Sequence, residues 1–417
     1  MDEKNYVRSL ADRVYEISAS GEMERRRNLW SDHNSLVLTP PPIYVRAYAA
    51  AEIPELRDLK CESAQMRGME RHFLDILYRY SLEDDSIFEP WYTVRAAFSY
   101  PKDGKWGFPI SVTRPENTGG KPGAFIFNPP IKKDEDIGKF VKPVHSIDEA
   151  KTNEIFEKTS EILQGIMPVA VDRSPVYTHW NADISTDLAY IVGLEGMMWA
   201  MADRPGWLHK ITGFMGAGVA EVQNTAEAAG DFSLFSQENQ AMPYSNELPR
   251  PSLAPASVTR SQLWAFCASQ ETAVVSPEMW EEFILNYQKP VYGRYGLLSY
   301  GCCEDMTRKF PILKRELKNL RRVAVTPWAN LRECSQLLGS GYVLSWRPSP
   351  TDMAAVDFDA KRVKKAAREA FGLAGENKNH IDVTLKDVET VSGNLDAVKN
   401  FVKAVREVIG EGKWMWK

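Results

Sequence analysis

Cysteine is scarce in this sequence, with five residues among 417. The number is odd and the positions are scattered apart from one adjacent pair, Cys302 and Cys303, which argues against a disulfide framework. No stretch reaches the roughly 18 consecutive apolar residues of a membrane span, and the opening segment MDEKNYVRSLADRVYEISAS lacks the apolar core of a signal peptide. We therefore expect a cytoplasmic protein that does not enter a membrane.

The sequence also lacks an excess of basic residues. Lys and Arg number 51 against 56 Asp and Glu, which gives a net charge of -5. Sequence-independent binding to phosphates needs a basic excess, so nucleic acid is not an expected partner. There is no Walker loop, HExxH or GxSxG, and the G-x-x-G-x-G pattern at 213–218 lies within a helical segment instead of following a strand. Common nucleotide and hydrolase motifs therefore do not explain this chain.

The remaining composition, 44% hydrophobic and 26% charged, is that of an ordinary globular protein. Residues 1–85 show helical spacing of apolar residues around the proline-rich connection TPPPIYV, and short β-rich runs then alternate with helical segments. This alternation predicts an α/β protein, a (β/α)8 TIM barrel over 86–417 with a helical N-terminal extension over 1–85. Residues 101–130 are the expected insertion or lid, in which AFIF could be a hairpin strand. The candidate strands are Trp91–Phe98, Ala124–Phe127, Pro168–Val171, Phe232–Phe235, Leu263–Cys267, Leu297–Gly301, Arg322–Val325 and Tyr342–Trp346, with HIDVTLKDV as a further strand near the end.

Functional groups of such barrels collect where the strands end, so the residues that follow each candidate strand are candidate site residues. Glu238 and Glu271 are candidate general bases or metal ligands, although helix caps or ion pairs are equally compatible with these positions. His179 could be a ligand, a proton donor or a hydrogen-bond partner. Arg347 and Arg95 could each hold an anionic substrate, or each could form an internal ion pair.

The adjacent cysteines follow a candidate strand in SYGCCED. A thiolate in this loop could bind zinc, although two neighbouring residues cannot easily both ligate one ion. Two other interpretations remain: small buried thiols that fill a crowded loop, and a disulfide between the two neighbours.

Three segments together resemble the uroporphyrinogen decarboxylase superfamily, whose members are (β/α)8 barrels. They are LWAFCASQETAVVSPEMWEEFILNYQKPVYGRYGLLSYGCCEDM, LRRVAVTPWANLRECSQLLGSGYVLSWRPSP and DLAYIVGLEGMMWAMADRPGWLHKI. The decarboxylases carry a PVWxMRQAGRY signature, and the corresponding stretch here is PWYTVRAAFSY, in which Arg95 matches the first arginine and Ser99 replaces the second. The corrinoid-dependent methyltransferases of the superfamily hold zinc through an H-x-C motif, and here Tyr300-Gly301-Cys302 occupies that place, so that only Cys302 is retained.

The resemblance implies a methyltransferase that moves a methyl group between a small-molecule methyl donor and a corrinoid-binding partner protein. The aromatic residues near the strand ends would suit a methoxylated aromatic, and a methylamine-like compound is also compatible. Alternatives are a decarboxylase of uroporphyrinogen or another polycarboxylate, with Arg95 and Arg347 as anion anchors, and a catalytically silent subunit that docks a corrinoid protein. The N-terminal helices could cover the barrel or form the interface of a homodimer. The predicted site residues are Glu271, Tyr300 and His179 for catalysis, Arg95, Trp328, Trp346, Arg347 and Glu238 for substrate binding, and Cys302 and Cys303 for zinc.

Overall fold

The structure is a computed structural model that describes residues 2–114, 125–131, 133–253, 258–354 and 357–416. Its strands are β1 Ile43–Val45, β2 Tyr92–Arg95, β3 Val112–Thr113, β4 Ile126–Phe127, β5 Val169–Asp172, β6 Trp264–Cys267, β7 Leu297–Tyr300, β8 Leu320–Val325, β9 Val343–Trp346 and β10 His380–Leu385. Its α-helices are α1 Glu3–Ser18, α2 Gly21–Asn34, α3 Pro54–Arg57, α4 Ala64–Ser81, α5 Glu149–Leu163, α6 Ile184–Val192, α7 Leu194–Asp203, α8 Pro205–Ala229, α9 Pro277–Trp280, α10 Asn286–Tyr292, α11 Phe310–Glu316, α12 Leu331–Leu338, α13 Thr351–Ala354, α14 Ala360–Asn377 and α15 Ala397–Ile409. A π-helical turn, Glu281–Leu285, joins α9 to α10.

Six parallel strands form one curled sheet in the order β1-β10-β9-β8-β7-β6. Strands β2 and β5 form a separate parallel pair, and β3 and β4 form an antiparallel pair. The protein is therefore an α/β protein with N-terminal helices and a parallel sheet shaped like half a barrel. Across the described ranges, the hydrogen-bonded ladders do not close into the predicted eight-stranded barrel.

Two strand predictions differ from the structure. Phe232–Phe235 is not a strand, because the chain turns there and the Ser236 N–H donates to the Ser233 carbonyl at 3.1 Å. Conversely, IYV was predicted as part of a connection and is β1, which pairs with β10. Proline lacks the N–H donor but keeps its carbonyl, and the Pro42 carbonyl accepts the Val383 N–H at 2.9 Å, so the prolines do not prevent pairing.

The hairpin alternative for the AFIF run agrees with the structure, since β4 pairs antiparallel with β3. Ala124, where that run was predicted to begin, lies outside the described residues, as do 115–123 of the predicted insertion. None of the helices in the described ranges is long and apolar enough to cross a bilayer.

Helix α2 closes the amino end of the sheet with a buried polar network. Arg322 on β8 and Asp382 on β10, both fully buried, form an ion pair with two contacts of 2.7 Å. Nε2 of His33 lies 3.3 Å from the same carboxylate, and the Arg322 guanidinium lies 5.8 Å from the centre of the Trp30 ring. This network fills the amino end of the sheet, and barrel proteins place their sites at the opposite end, where the strands have their carboxyl ends.

Alternation along the strands divides their side chains between two buried faces. One face packs against the surrounding helices and carries the apolar residues of the main core, among them Leu298, Val323 and Leu344. The other face lines the inside of the curled sheet and includes Arg322, Ser345 and Asp382, which are hydrogen-bonded to one another. Residues two positions further along β9 and β10 continue this inner face toward the carboxyl end.

Candidate functional site

Charged and nucleophilic residues gather where four strands end. Arg46 follows β1, Cys302 lies in the loop after β7, Arg347 follows β9 and Lys386 follows β10. Alternation puts Arg347 and Lys386 on the inner face with Ser345 and Asp382. The Lys386 ammonium lies 2.9 Å from Sγ of Cys302, which ties the ends of β7 and β10 together. We refer to Arg46, Cys302, Cys303, Arg347 and Lys386 as the strand-end cluster.

The loop after β7 is held in place by a buried carboxylate. Glu304 accepts the backbone N–H groups of Ser269 and Cys302, each at 3.0 Å, and so joins the ends of β6 and β7. Gly301 begins the loop with φ +98, a conformation that residues with a Cβ rarely adopt, and an added Cβ would lie 3.0 Å from the Met306 side chain. The local sequence Gly-Cys-Cys-Glu thus fixes where the two thiols stand.

The two thiols are in contact but differ in exposure. Their Sγ atoms are 3.4 Å apart, and Cys302 is buried while Cys303 is exposed. The Lys386 ammonium lies 3.1 Å from Sγ of Cys303 as well. The hydrogen bond from the Cys302 thiol, together with this ammonium, lowers the pKa of Cys303 to about 6, while the same contact and burial raise the pKa of Cys302. These contacts therefore favour the ionised form on Cys303 and the neutral thiol on Cys302.

Arg347 is the most unusual group of the cluster. It is 1% exposed, and its Nε, Nη1 and Nη2 atoms are all buried with no hydrogen-bond partner in the described parts of the chain. Burial, followed by the like charge of Arg322, lowers the pKa of Arg347 to about 10, so it remains charged at neutral pH. A buried charge without a partner is costly, so this guanidinium is a candidate group for binding an anion.

Arg46 stands between a carboxylate and an aromatic wall. Its guanidinium pairs with Glu238 at 2.9 Å and lies 5.7 Å from the centre of the Trp180 ring. Trp180 in turn packs on Phe266 of β6, with ring centres 4.3 Å apart, and both contact the apolar cluster around Cys302. At the carboxyl ends of the strands, the inner face of the sheet therefore presents both cationic side chains and the flat apolar surface of aromatic rings.

His179 sits in a strained turn beside Glu238. It begins the 3-10 turn His179–Ala182 with φ 48, and its Nδ1 is buried without a partner among the described residues. Burial lowers the pKa of His179, opposed by the charge of Glu238 and a hydrogen bond to the Ser236 backbone. The ring is thus neutral at pH 7, and a ring N–H bound to the Ser236 carbonyl leaves Nδ1 free to accept a proton.

Glu271 belongs to a second group of carboxylates at the start of α6. Ser185 Oγ and Thr186 Oγ1 each lie 2.8 Å from an oxygen of Glu271, and both hydroxyls also contact Asp183. Burial and the charge of Glu271 raise the pKa of Asp183 well above its usual range. The hydrogen-bond partners of Glu271 within the described ranges are Ser185, Thr186 and Gln270, and none of them belongs to the strand-end cluster.

The structure brings together five of the predicted site residues: His179, Glu238, Cys302, Cys303 and Arg347. Arg95 stands beside His179, but its guanidinium is engaged by the Asp172 carboxylate and the Ser174 carbonyl. The predicted roles of all these residues remain predictions.

Three predicted aromatic residues lie apart from the cluster. The Tyr300 hydroxyl donates to Gln288 Oε1 at 2.7 Å, and Trp346 packs against Phe371 of α14, so both side chains are on the helix-facing side of the sheet. Trp328 is 76% exposed.

Sequence reasoning missed Lys386, Arg46, Trp180 and Phe266. Lys386 lay inside the predicted strand HIDVTLKDV, whereas the strand ends at Leu385 in the structure, so Lys386 was not considered as a residue at a strand exit. Arg46 follows a strand that was predicted as a connection. Nothing in the sequence around Trp180 and Phe266 distinguishes an aromatic residue of a site from an aromatic residue of the core.

The cysteine pair does not by itself make a zinc shell. Within the described ranges there is no group of three or more His, Cys, Asp and Glu residues that could hold a metal ion. In addition, the cation that contacts both sulfurs is the Lys386 ammonium. Zinc binding remains a prediction, and no step proposed below depends on it.

Comparisons with known proteins support the fold alone. No protein-family model matches the chain. No curated protein matches it. Among solved structures, it is similar to a methyltransferase from Methanosarcina mazei at 10% sequence identity, with a TM-score of 0.50, over 91% of this chain and 97% of that one. The chain thus shares its overall architecture with a methyltransferase at very low sequence identity.

Proposed function

We propose that the protein is a methyltransferase that moves a methyl group between a small anionic substrate and a corrinoid carried by a partner protein, and that its fold is a variant of the (β/α)8 barrel. The unpaired guanidinium of Arg347, buried at the carboxyl ends of the strands, is the observation that carries the proposal. The similarity of fold to a methyltransferase over nearly the whole chain supports methyl transfer as the reaction.

A methoxylated or hydroxylated aromatic carboxylate fits the groups at the strand-end cluster. The planar guanidinium of Arg347 presents paired donors that match the two oxygens of a carboxylate. The Trp180 and Phe266 rings supply an apolar wall for an aromatic ring. A substrate with both features would neutralise the buried charge and cover apolar surface.

The chain itself supplies a group that can accept or donate the proton of the methyl-transfer reaction. When bound, the corrinoid of the partner protein supplies the centre that gives or takes the methyl group. Methylation of a substrate hydroxyl, thiol or amine releases a proton, and the free Nδ1 of neutral His179 can accept it. In the demethylation direction the same nitrogen returns the proton to the leaving heteroatom, and the neighbouring Glu238 stabilises the imidazolium.

The test is an anaerobic assay of demethylation with reduced cobalamin as the acceptor. We expect 4-methoxybenzoate to be demethylated with a lower KM than its uncharged analogue 4-methoxytoluene. In Arg347→Met the KM for the carboxylate should rise about tenfold or more, since a hydrogen bond to a charged group contributes about 1.5–3 kcal/mol. The KM for the uncharged ether should not change, and neither KM should change in Arg332→Met, which removes an exposed arginine of α12. Equal KM values for both substrates, or no effect of Arg347→Met, would contradict the proposal.

Decarboxylation of a polycarboxylate is the second candidate, because Arg46, Arg347 and Lys386 place three cations at one end of the sheet. Against it, Arg95 is already paired with Asp172, which removes one of the two predicted anion anchors. Release of carbon dioxide from uroporphyrinogen, without methyl transfer, would favour this candidate. Binding of a corrinoid protein without turnover of any substrate would favour a silent docking subunit.

A further inference from the structure

We propose that Cys302 and Cys303 form a redox-active pair that reacts with low-molecular-weight disulfides and closes reversibly into a disulfide between neighbouring residues. A disulfide between the two neighbours is one of the interpretations that the sequence leaves open, and the proposed methyl transfer uses neither sulfur. Three observations carry the inference: the contact between the sulfurs, their unequal exposure and the shared ammonium.

The contact and the exposure assign different roles to the two sulfurs. Cys303 is exposed and can be reached by an incoming disulfide, whereas Cys302 is buried behind it. Their Sγ atoms are already 3.4 Å apart, so the buried sulfur can reach the outer one without a rearrangement of the fold. Cys303 is therefore the attacking sulfur, and Cys302 is the resolving sulfur.

The ammonium of Lys386 favours the thiolate that both steps require. It lies 2.9 Å from Sγ of Cys302 and 3.1 Å from Sγ of Cys303, so it can stabilise a negative charge on either atom. Asp387 is placed to receive this cation afterwards, because its carboxylate lies 3.2 Å from Nζ of Lys386. The lysine thus keeps a partner when the thiolate is consumed.

The reaction balances as a thiol–disulfide exchange. The Cys303 thiolate attacks one sulfur of a disulfide RSSR, which forms a mixed disulfide and releases RS⁻. The Cys302 thiol gives its proton to RS⁻ and attacks Sγ of Cys303, which breaks the mixed bond and releases the second RS⁻, protonated from solvent. Overall, two protein thiols are oxidised to one disulfide while RSSR is reduced to two RSH.

The geometry of neighbouring residues makes this disulfide easy to reduce. Their Cα atoms are about 3.8 Å apart across a trans peptide, shorter than the roughly 4.4–6.8 Å that disulfides usually span. The ring is therefore strained, and strained disulfides are the labile ones. Closure also removes the negative charge that faces Lys386, so the state of the pair changes the charge at the carboxyl ends of the strands.

The test treats reduced, full-length protein with oxidised glutathione under anaerobic conditions, with a chelator present so that no metal competes for the sulfurs. Trypsin releases residues 295–308, a peptide that contains Cys302 and Cys303 but none of the other three cysteines. We expect the wild-type peptide to lose two hydrogen atoms without accumulating glutathione, and to regain them in reduced glutathione. A wild-type peptide that keeps both thiols, or that accumulates the mixed disulfide, would overturn the proposal without any variant.

Variants then separate the roles of the three groups. Cys302→Ser should hold glutathione on Cys303, because the resolving sulfur is missing, and Cys303→Ser should react far more slowly. Lys386→Met should slow the wild-type reaction about tenfold or more, while Lys365→Met, which removes an exposed lysine of α14, should not. Glutathione on Cys302 at a rate equal to that on Cys303, or an equal rate in Lys386→Met and the wild type, would refute the assigned roles.

Discussion

The carboxylate pair at the start of α6 predicts a stability that depends on pH through Asp183. Oδ1 of Asp183 accepts the Ser185 N–H at 2.9 Å and so caps the helix. Ser185 Oγ and Thr186 Oγ1 each lie within hydrogen-bond distance of one oxygen of Asp183 and one of Glu271. A hydroxyl donates only one hydrogen, so two hydroxyls cannot satisfy all four contacts if both carboxylates are ionised. A proton on Asp183 supplies a third donor, in agreement with its raised pKa.

The sign of the effect follows from where that proton is bound. In the unfolded chain an aspartate loses its proton near pH 3.9, whereas the folded protein retains it at higher pH. The folded state therefore binds more protons, and its stability falls by about 1.4 kcal/mol per pH unit as the pH rises above 3.9 toward the raised pKa. Asparagine caps a helix as well as aspartate does and stays neutral. Between about pH 5 and pH 7, Asp183→Asn should gain up to about 3 kcal/mol of stability relative to wild type.

Urea unfolding of wild type and Asp183→Asn at these two pH values measures the change. Asp148→Asn is the matched control, because Asp148 caps α5 in the same way but is exposed. Its difference from wild type should not grow toward the higher pH. If the difference for Asp183→Asn is constant or shrinks as the pH rises, the pair is ionised in the folded state and the hydrogen-bond count is wrong.

Three further changes test the inner face and the loop after β7. Gly301→Ala should lower the thermal midpoint of unfolding, since φ +98 costs a residue with a Cβ about 1–3 kcal/mol, and an unchanged midpoint would show that the loop adjusts freely. Arg322→Met should lower the free energy of unfolding by about 3–5 kcal/mol because it leaves Asp382 buried without its cation; a loss under about 1 kcal/mol, measured in urea, would contradict this. Oxidation of Cys302 and Cys303 to the disulfide should tighten the binding of benzoate, measured by calorimetry, because a negative charge is removed near the anion site. An unchanged Kd would show that the sulfurs do not influence it.

Much of the sheet could be predicted from short apolar runs. Strands β6, β7 and β9 lie within the predicted segments to within one residue at each end, because buried parallel strands are nearly continuous apolar runs bounded by polar exits. Strand β1 could not be found in the same way. It has three residues, directly follows three prolines and gains its register only from β10, which comes more than 300 residues later in the chain.

The same property of parallel strands explains which site residues could be predicted. Arg347 directly follows β9, and Cys302 lies two residues after the end of β7, so the rule that sites lie at strand exits finds both. Tyr300 and Trp346 are the last residues of their strands, and their direction depends on which face is the inner one. In a strand that is buried on both faces, the alternation of side chains shows which residues share a face. It does not show which of the two faces points to the inside of the curled sheet. The contacts of Arg322 and Asp382 on the inner face supply that information, and it comes only from the structure.

Arg322 and Arg347 provide an internal comparison for the anion site. Both arginines are buried on the inner face of neighbouring strands. The chain provides Arg322 with a carboxylate, Asp382, whose pKa is lowered by that arginine. Among the residues that the structure describes, none accepts a hydrogen bond from the Arg347 guanidinium. Barrel proteins place their ligands at the carboxyl ends of the strands, where Arg347 lies. The difference between the two arginines therefore supports the proposal that an anionic substrate is the partner of Arg347.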